Sequence, residues 1–198
     1  MTTHSHARID QGLLDGLRHD DILREGHFVY HSGRHAGVLI DRDRLLEDPQ
    51  FASQMGYRIA KRYFTRKIDV VATPSIWGAG LAQWVAYFLE PRPKVVYATP
   101  FGDGARQIAE NLHGMIAEKR TLVLDNLIIT GETMQNFIEH VETLQGEIIG
   151  VAALWDGADA VIAGHEVFGL LDDIYPAYTA DACPRCKAGE NDATPTWY

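Results

Sequence analysis

Apolar positions recur along the chain in two rhythms, every third or fourth residue in some stretches and in short unbroken runs in others. Residues 9–23 carry Ile9, Leu13, Leu14, Leu17 and Leu23 at roughly helical spacing. Residues 27–40 place Phe28, Val29 and Tyr30 before Ser32-Gly33-Arg34 and Val38, Leu39 and Ile40 after it, which predicts a hairpin-like pair of strands about a turn. Asp48-Pro49 opens a helix with Phe51, Met55, Ile59 and Tyr63 every fourth residue. A short apolar strand over 68–72 leads through Thr73-Pro74-Ser75 into a helix with Leu81, Trp84, Val85, Phe88 and Leu89 on one face, stopped by Pro91. Further strands are expected at 94–97, 122–125, 148–154 and 167–171, and a helix with Met134, Phe137, Ile138, Val141 and Leu144 closes at Gly146. The run at 148–154 is continuously apolar, as a strand covered on both faces should be. Strands alternating with helices predict an α/β fold with a mostly parallel sheet.

Two stretches lack this rhythm. Residues 98–120 hold Pro100, Gly102, Gly104 and Gly114 without a strong period, and so long a connection is expected to be functional or mobile. From Ala188 the chain turns polar and is expected to fray.

Chemistry concentrates at 122–133, which reads Leu-Val-Leu-Asp-Asn-Leu-Ile-Ile-Thr-Gly-Glu-Thr. An apolar strand ending in Asp125 passes through a polar turn at Thr130-Gly131 into an amphipathic helix. Loop N–H groups and the positive end of the helix then face one point, which suits a phosphate. Asp125 is placed to hold sugar hydroxyls or a metal, against the alternative that it caps the turn. Thr130, Gly131 and Thr133 would cradle the phosphate, although Thr130 would cap a helix in any protein. Glu132 would repel an anion unless its side chain faces solvent and only its N–H turns inward.

The bulk numbers narrow the field. A chain of 198 residues suffices for one domain with a sizeable core. Its net charge of −9 argues against a general nucleic-acid binder. No apolar run reaches the ~18 residues of a membrane span, and the start of the chain lacks the apolar core of a signal peptide. A cytoplasmic location is the default expectation. Cys183 and Cys186 are the only cysteines, so no disulfide framework is expected. They offer half of a zinc site with no histidine at ligand spacing beside them; a tight turn with buried thiols is the preferred reading.

Four more stretches fit the same picture. Gly-His-Phe-Val-Tyr-His-Ser-Gly-Arg-His at 26–35 is an apolar strand ending in Ser-Gly-Arg. Residues 68–82 run from a strand into Pro-small-x-x-Gly at a helix start. Residues 94–114 form the aperiodic connection, and Cys-Pro-Arg-Cys-Lys-Ala-Gly stands at 183–189. In this order, with 122–133, they resemble the type I phosphoribosyltransferases, which bind 5-phosphoribosyl-1-pyrophosphate (PRPP), and within them the orotate phosphoribosyltransferase branch. The likeness covers nearly the whole chain.

That resemblance implies one domain over 1–198: a parallel sheet flanked by helices, with a small hood from about 24–45 and 172–190. It implies transfer of the phosphoribosyl group of PRPP to a nitrogenous base with release of pyrophosphate. Mg²⁺ would reach the protein mainly through PRPP and waters, with no metal held by side chains in the site. A homodimer is implied, with a mobile loop serving the neighbouring site. Asp125 and Asn126 take the ribose-binding acidic positions, and Thr130, Gly131, Glu132 and Thr133 the 5′-phosphate loop. Ser75, Trp77 and Gly78 take the pyrophosphate side, where Trp77 is equally a packed aromatic or a surface for a base. Ser32, Arg34 and His35 take the hood side, toward phosphate or base, or form a plain surface turn. Arg106 is the loop cation that would meet the departing pyrophosphate.

Three departures shape the expectation. Asn126 stands for the second acid, the connection at 98–106 has no cation other than Arg106, and Asp156-Gly157 stands where orotate enzymes carry Asp-Arg. A charge-assisted hydrogen bond contributes roughly 1.5–3 kcal/mol, so a base other than orotate is expected. The second class consistent with these departures is a PRPP- or nucleotide-binding regulatory protein with little or no transferase activity.

Overall fold

A computed structural model of the chain describes residues 11–101, 105–158, 161–171, 175–190 and 192–198. In chain order its elements are α1 (Gln11–His19), β1 (Leu23–Val29), β2 (His35–Ile40), α2 (Arg42–Glu47), α3 (Pro49–Tyr63), β3 (Val70–Thr73), α4 (Ile76–Phe88) and β4 (Lys94–Tyr97). There follow β5 (Thr99–Phe101), β6 (Ala105–Gln107), a 3-10 turn at Glu110–Met115, β7 (Arg120–Ile128), α5 (Glu132–Thr143) and β8 (Glu147–Asp156). The chain then runs through β9 (Val161–Ile162), β10 (His165–Gly169), β11 (Ala177–Tyr178), α6 (Pro184–Lys187) and β12 (Thr194–Pro195).

The large sheet has the order β4-β3-β7-β8-β10-β9, parallel throughout except for the antiparallel edge strand β9. Side chains alternate across a strand, so each central strand feeds two cores. Leu122 and Leu124 of β7 and Ala152 and Leu154 of β8 face one core, with Met55 and Ile59 of α3 and Leu81 and Val85 of α4. Val123, Val151 and Ala153 face the other, with Phe137, Ile138 and Val141 of α5. Both faces of β7 and β8 are therefore dry, which explains their unbroken apolar runs.

A second sheet, β11-β2-β1-β12, joins the hairpin β1–β2 to the last third of the chain. Its β2 residues Val38, Leu39 and Ile40 are buried in the same core as α3 and α4. The expectation that residues from Ala188 onward fray is corrected here. Thr194–Pro195 pairs in parallel with β1, Thr196 N donates to Val29 O at 2.8 Å, and His31 N donates to Tyr198 O at 2.7 Å. A two-residue strand leaves no period in the sequence, and an exposed edge of β1 supplies the partner.

Two other differences bear on the site. β7 runs on to Ile128, three residues past Asp125, because β8 extends alongside it and pairs Leu127 with Trp155 and Ile128 with Asp156. The connection that showed no strong period in the sequence holds the antiparallel pair β5–β6, whose strands of three residues are too short to show one. Its base is fixed: Ile108 is buried, and its N–H donates to His140 Nε2 of α5 at 3.1 Å. Gly102, Asp103 and Gly104 of that connection lie outside the described residues.

Candidate active site

The carboxyl ends of β3 and β7 open onto a cavity of about 420 Å³. Ser75, Trp77, Asp125, residues 127–134 and Arg106 line it, together with His31, Ser32, Arg42, Trp197 and Tyr198.

The phosphate-like corner is built by Gly131. Its φ of 84° is left-handed, which glycine adopts without the strain other residues incur, and this turns the chain from strand into α5. A Cβ there would also stand 3.1 Å from Ile162 Cδ1. As N-cap residue it brings no side chain to the helix start, so α5 begins without a side-chain cap. Thr130 Oγ1 accepts only weakly, from Glu132 N at 3.4 Å. The first N–H groups of a 12-residue helix thus face the cavity, with the helix dipole behind them.

Asp125 forms the floor. Its Oδ1 accepts from Asn126 N at 2.8 Å, and the rest of the carboxylate faces the cavity. The recess leaves it partly accessible but poorly hydrated. Desolvation pushes its pKa up to about 6, against the opposing pull of the Asn126 N–H, Arg42 and Arg106. Gly78 lets α4 start this close to the floor. A Cβ at that position would overlap Thr73 Oγ1 and come within 3.2 Å of Asp125 Oδ1. Ser75 caps α4, its Oγ accepting from Gly78 N at 3.4 Å.

Ten of the residues singled out from sequence therefore converge on one cavity or its wall: Asp125, Arg106, Thr130, Gly131, Glu132, Thr133, Ser75, Trp77 and Ser32 line it, and Gly78 shapes it. Three are placed elsewhere. Asn126 is fully buried and turned away, because neighbouring strand side chains point to opposite faces; its Nδ2 donates to Trp77 O at 2.8 Å and ties β7 to the start of α4. That corrects the expectation of a contact with ribose. Arg34 and His35 lie outside the cavity lining, and His35 faces His27 across the hairpin with Nδ1 3.0 Å from His27 Nε2.

The wall that sequence reasoning missed is cationic and aromatic. Arg42 opens α2, and its guanidinium lies 5.2 Å from the centroid of the Trp77 ring and 4.6 Å from that of Tyr198. Asp41, the N-cap of α2, accepts from Arg44 N at 3.1 Å and from Tyr198 Oη at 2.9 Å. Burial and the Asp41 carboxylate push the Tyr198 hydroxyl up to about 12, so it stays a donor. Asp41 ahead of a short helix was a legible capping signal; nothing in the spacing pointed to Trp197 and Tyr198.

A parallel sheet with a carboxylate floor, an uncapped helix start and two arginines at its strand ends defines an α/β protein that handles a sugar phosphate or nucleotide. Residues 41–167 match the phosphoribosyl transferase domain family. The orotate phosphoribosyltransferase of Thermus thermophilus is 31% identical over 182 residues, 89% of this chain and 96% of that protein. Among solved structures, Mycobacterium tuberculosis H37Rv orotate phosphoribosyltransferase in complex with PRPP matches with a TM-score of 0.57 at 17% identity, over 84% of this chain and 96% of that one. Adenine phosphoribosyltransferase from Thermoanaerobacter pseudethanolicus matches with a TM-score of 0.57 at 20% identity, over 67% and 87%. At such identities the structural likeness speaks for the fold alone. The chain belongs to the type I phosphoribosyltransferase family, in its orotate phosphoribosyltransferase-like branch. It is a phosphoribosyltransferase, acting by PRPP-dependent transfer.

Proposed function

We propose that the chain transfers the 5-phosphoribosyl group of PRPP to a nitrogenous base other than orotate, as a cytoplasmic homodimer. The observation that carries this reading is the junction of Asp125 with the uncapped start of α5 in one cavity. The 5′-phosphate sits on the N–H groups and hydroxyls of 130–133, with the Glu132 side chain turned outward. Asp125, ionised above about pH 6, accepts from the ribose hydroxyls and offsets positive charge on the ring. The C1′–O bond breaks with its electron pair leaving on pyrophosphate; the base nitrogen lone pair forms the new C1′–N bond, and a proton displaced from that nitrogen passes to solvent. Arg106 and Arg42 oppose the charge gathering on pyrophosphate.

Mg²⁺ would arrive with PRPP and neutralise its phosphates, and the hard oxygens of Asp125, Ser75, Thr130 and Thr133 would suit it through its waters. Closure of the β5–β6 segment over the pyrophosphate would keep water from the oxocarbenium-like ring. Among the described residues no helix is long and apolar enough to cross a membrane.

The choice of base rests on position 157. Gly157 is buried, its N–H donates to Ile128 O at 2.9 Å, and a Cβ there would stand 2.7 Å from Trp155 Cζ2. A cation for a carboxylated base has no room at this point, while Trp77 offers a half-exposed aromatic face. Pyrophosphate release from PRPP and Mg²⁺ with a panel of bases tests the reading. We expect turnover with at least one uncharged base above that with orotate. Efficient orotidine monophosphate formation, with kcat/KM at or above ~10⁴ M⁻¹s⁻¹, would overturn the choice of base. Tight PRPP binding without turnover on any base would favour the regulatory alternative.

A further inference from the structure

Four side chains outside the active site converge on one point. His27 comes from β1, His35 from the start of β2, and Cys183 and Cys186 from the turn into α6 and the helix itself. One ligand atom from each lies within 4.8 Å of all the others. His27 Nε2 stands 3.0 Å from His35 Nδ1 and 3.5 Å from the Sγ of both cysteines, and Cys186 Sγ stands 3.3 Å from His35 Nδ1.

Hydrogen bonding alone does not account for this arrangement. An imidazole nitrogen carries one proton or one lone pair, directed in the ring plane, and serves one strong partner. Here His27 Nε2 has three, while its other ring nitrogen, Nδ1, is buried and meets none. All the polar engagement of a ring only 7% exposed therefore runs into the cluster. A tetrahedral ion with bonds of about 2.05 Å to nitrogen and about 2.3 Å to sulfur needs ligand atoms about 3.4 Å apart for N–N and about 3.6 Å apart for N–S. The four pairs given above, at 3.0, 3.3, 3.5 and 3.5 Å, are within a few tenths of an ångström of that. Both cysteines are free thiols.

We propose that His27, His35, Cys183 and Cys186 hold a structural zinc ion. The donor set of two imidazoles and two thiolates in a closed tetrahedron favours Zn²⁺ over the hard cations that oxygen ligands bind. On binding, the two Sγ–H protons leave to solvent, and two thiolates balance the ion's charge in a half-buried site. The ion fastens the two strands of the β1–β2 hairpin to the α6 segment, some 150 residues later in the chain. It also fixes both ends of the turn that carries His31 and Ser32 to the wall of the PRPP cavity, since His27 and His35 bracket that turn.

The test uses the full chain, without a histidine tag, purified under reducing conditions. Mass spectrometry of bound metal should find about one zinc per chain. The metal-free chain should take up Co²⁺ with tetrahedral d–d bands and thiolate-to-cobalt charge transfer. Cys186→Ser should weaken zinc binding at least 100-fold in competition with a chromophoric chelator. Two results would overturn the proposal: a reduced, folded chain binding less than about 0.1 equivalent of zinc, or a site of unchanged affinity in Cys186→Ser, which would point to other histidines such as His4 and His6. If that variant is insoluble, the cobalt spectrum of the unaltered chain decides, because nitrogen and oxygen ligands alone give no thiolate charge transfer.

Discussion

Two places where polar side chains gather, the cavity and the His27–Cys186 cluster, are built on opposite plans. The cavity at the strand ends is open, lined by hydroxyls, carboxylates and arginines, and bottomed by a carboxylate raised to about 6. The His27–Cys186 cluster is closed, buried on the His27 and Cys183 side, and made of soft donors facing one another. An open site of hard groups suits a charged oxygen ligand that must enter and leave. A closed site of soft groups suits an ion that stays. Perturbing the first should change turnover and leave the fold intact; perturbing the second should loosen the fold and reach turnover only through the wall formed by His31 and Ser32.

The largest separation is expected from metal removal. A strong chelator should lower the melting temperature of the full chain by more than about 10 °C, because an ion bound only by the folded state stabilises it by mass action. Added zinc should restore it. The cavity variant Asp125→Ala should do the reverse, lowering kcat/KM at least 100-fold, or about 2.7 kcal/mol of transition-state stabilisation, with little change in melting. Arg106→Ala should lower kcat about tenfold while moving KM for PRPP less, as expected of a charge used most when pyrophosphate departs. An unchanged kcat would leave that charge to Arg42 or the metal.

The smallest effect carries a sign that distinguishes the sites. Asp125 titrates at about 6 in the fold against an ordinary 3.8. Between those values the unfolded chain loses its proton first, so the native state is penalised as pH rises through this window and stays penalised above it. Asp125→Asn keeps an acceptor for the Asn126 N–H and removes the penalty. It should stabilise the protein by about 1–2 kcal/mol above pH 6 and by almost nothing below about pH 4, while losing activity. Chemical denaturation at several pH values checks this; a variant less stable at neutral pH would show that Arg42 and Arg106 outweigh desolvation.

What was legible beforehand follows from how each site is assembled. Strand, loop and helix at 122–133 are contiguous, so one reading of periodicity and turn residues located Asp125, Thr130 and Gly131. Arg106 was found because it is the one lysine or arginine between Ala98 and Glu118. Asn126 was misplaced because its type matched a polar role while the pleat of β7 sent it inward to Trp77 O. Arg42, Trp197 and Tyr198 went unseen, since a short helix and a two-residue strand leave no pattern. The histidine partners of Cys183 and Cys186 were invisible for a plainer reason. They lie some 150 residues away, and only the pairing of β1 with β2 and the return of the last segment bring them together.

Calorimetry of PRPP with Mg²⁺, on the unaltered chain and on Asp125→Ala, tests the central claim most directly. One PRPP per chain is expected, bound at least tenfold more weakly by the variant, with both proteins melting within a few degrees of each other. Equal affinity in the two proteins would take Asp125 out of the site and contradict the assignment of the cavity at the end of β7 to PRPP.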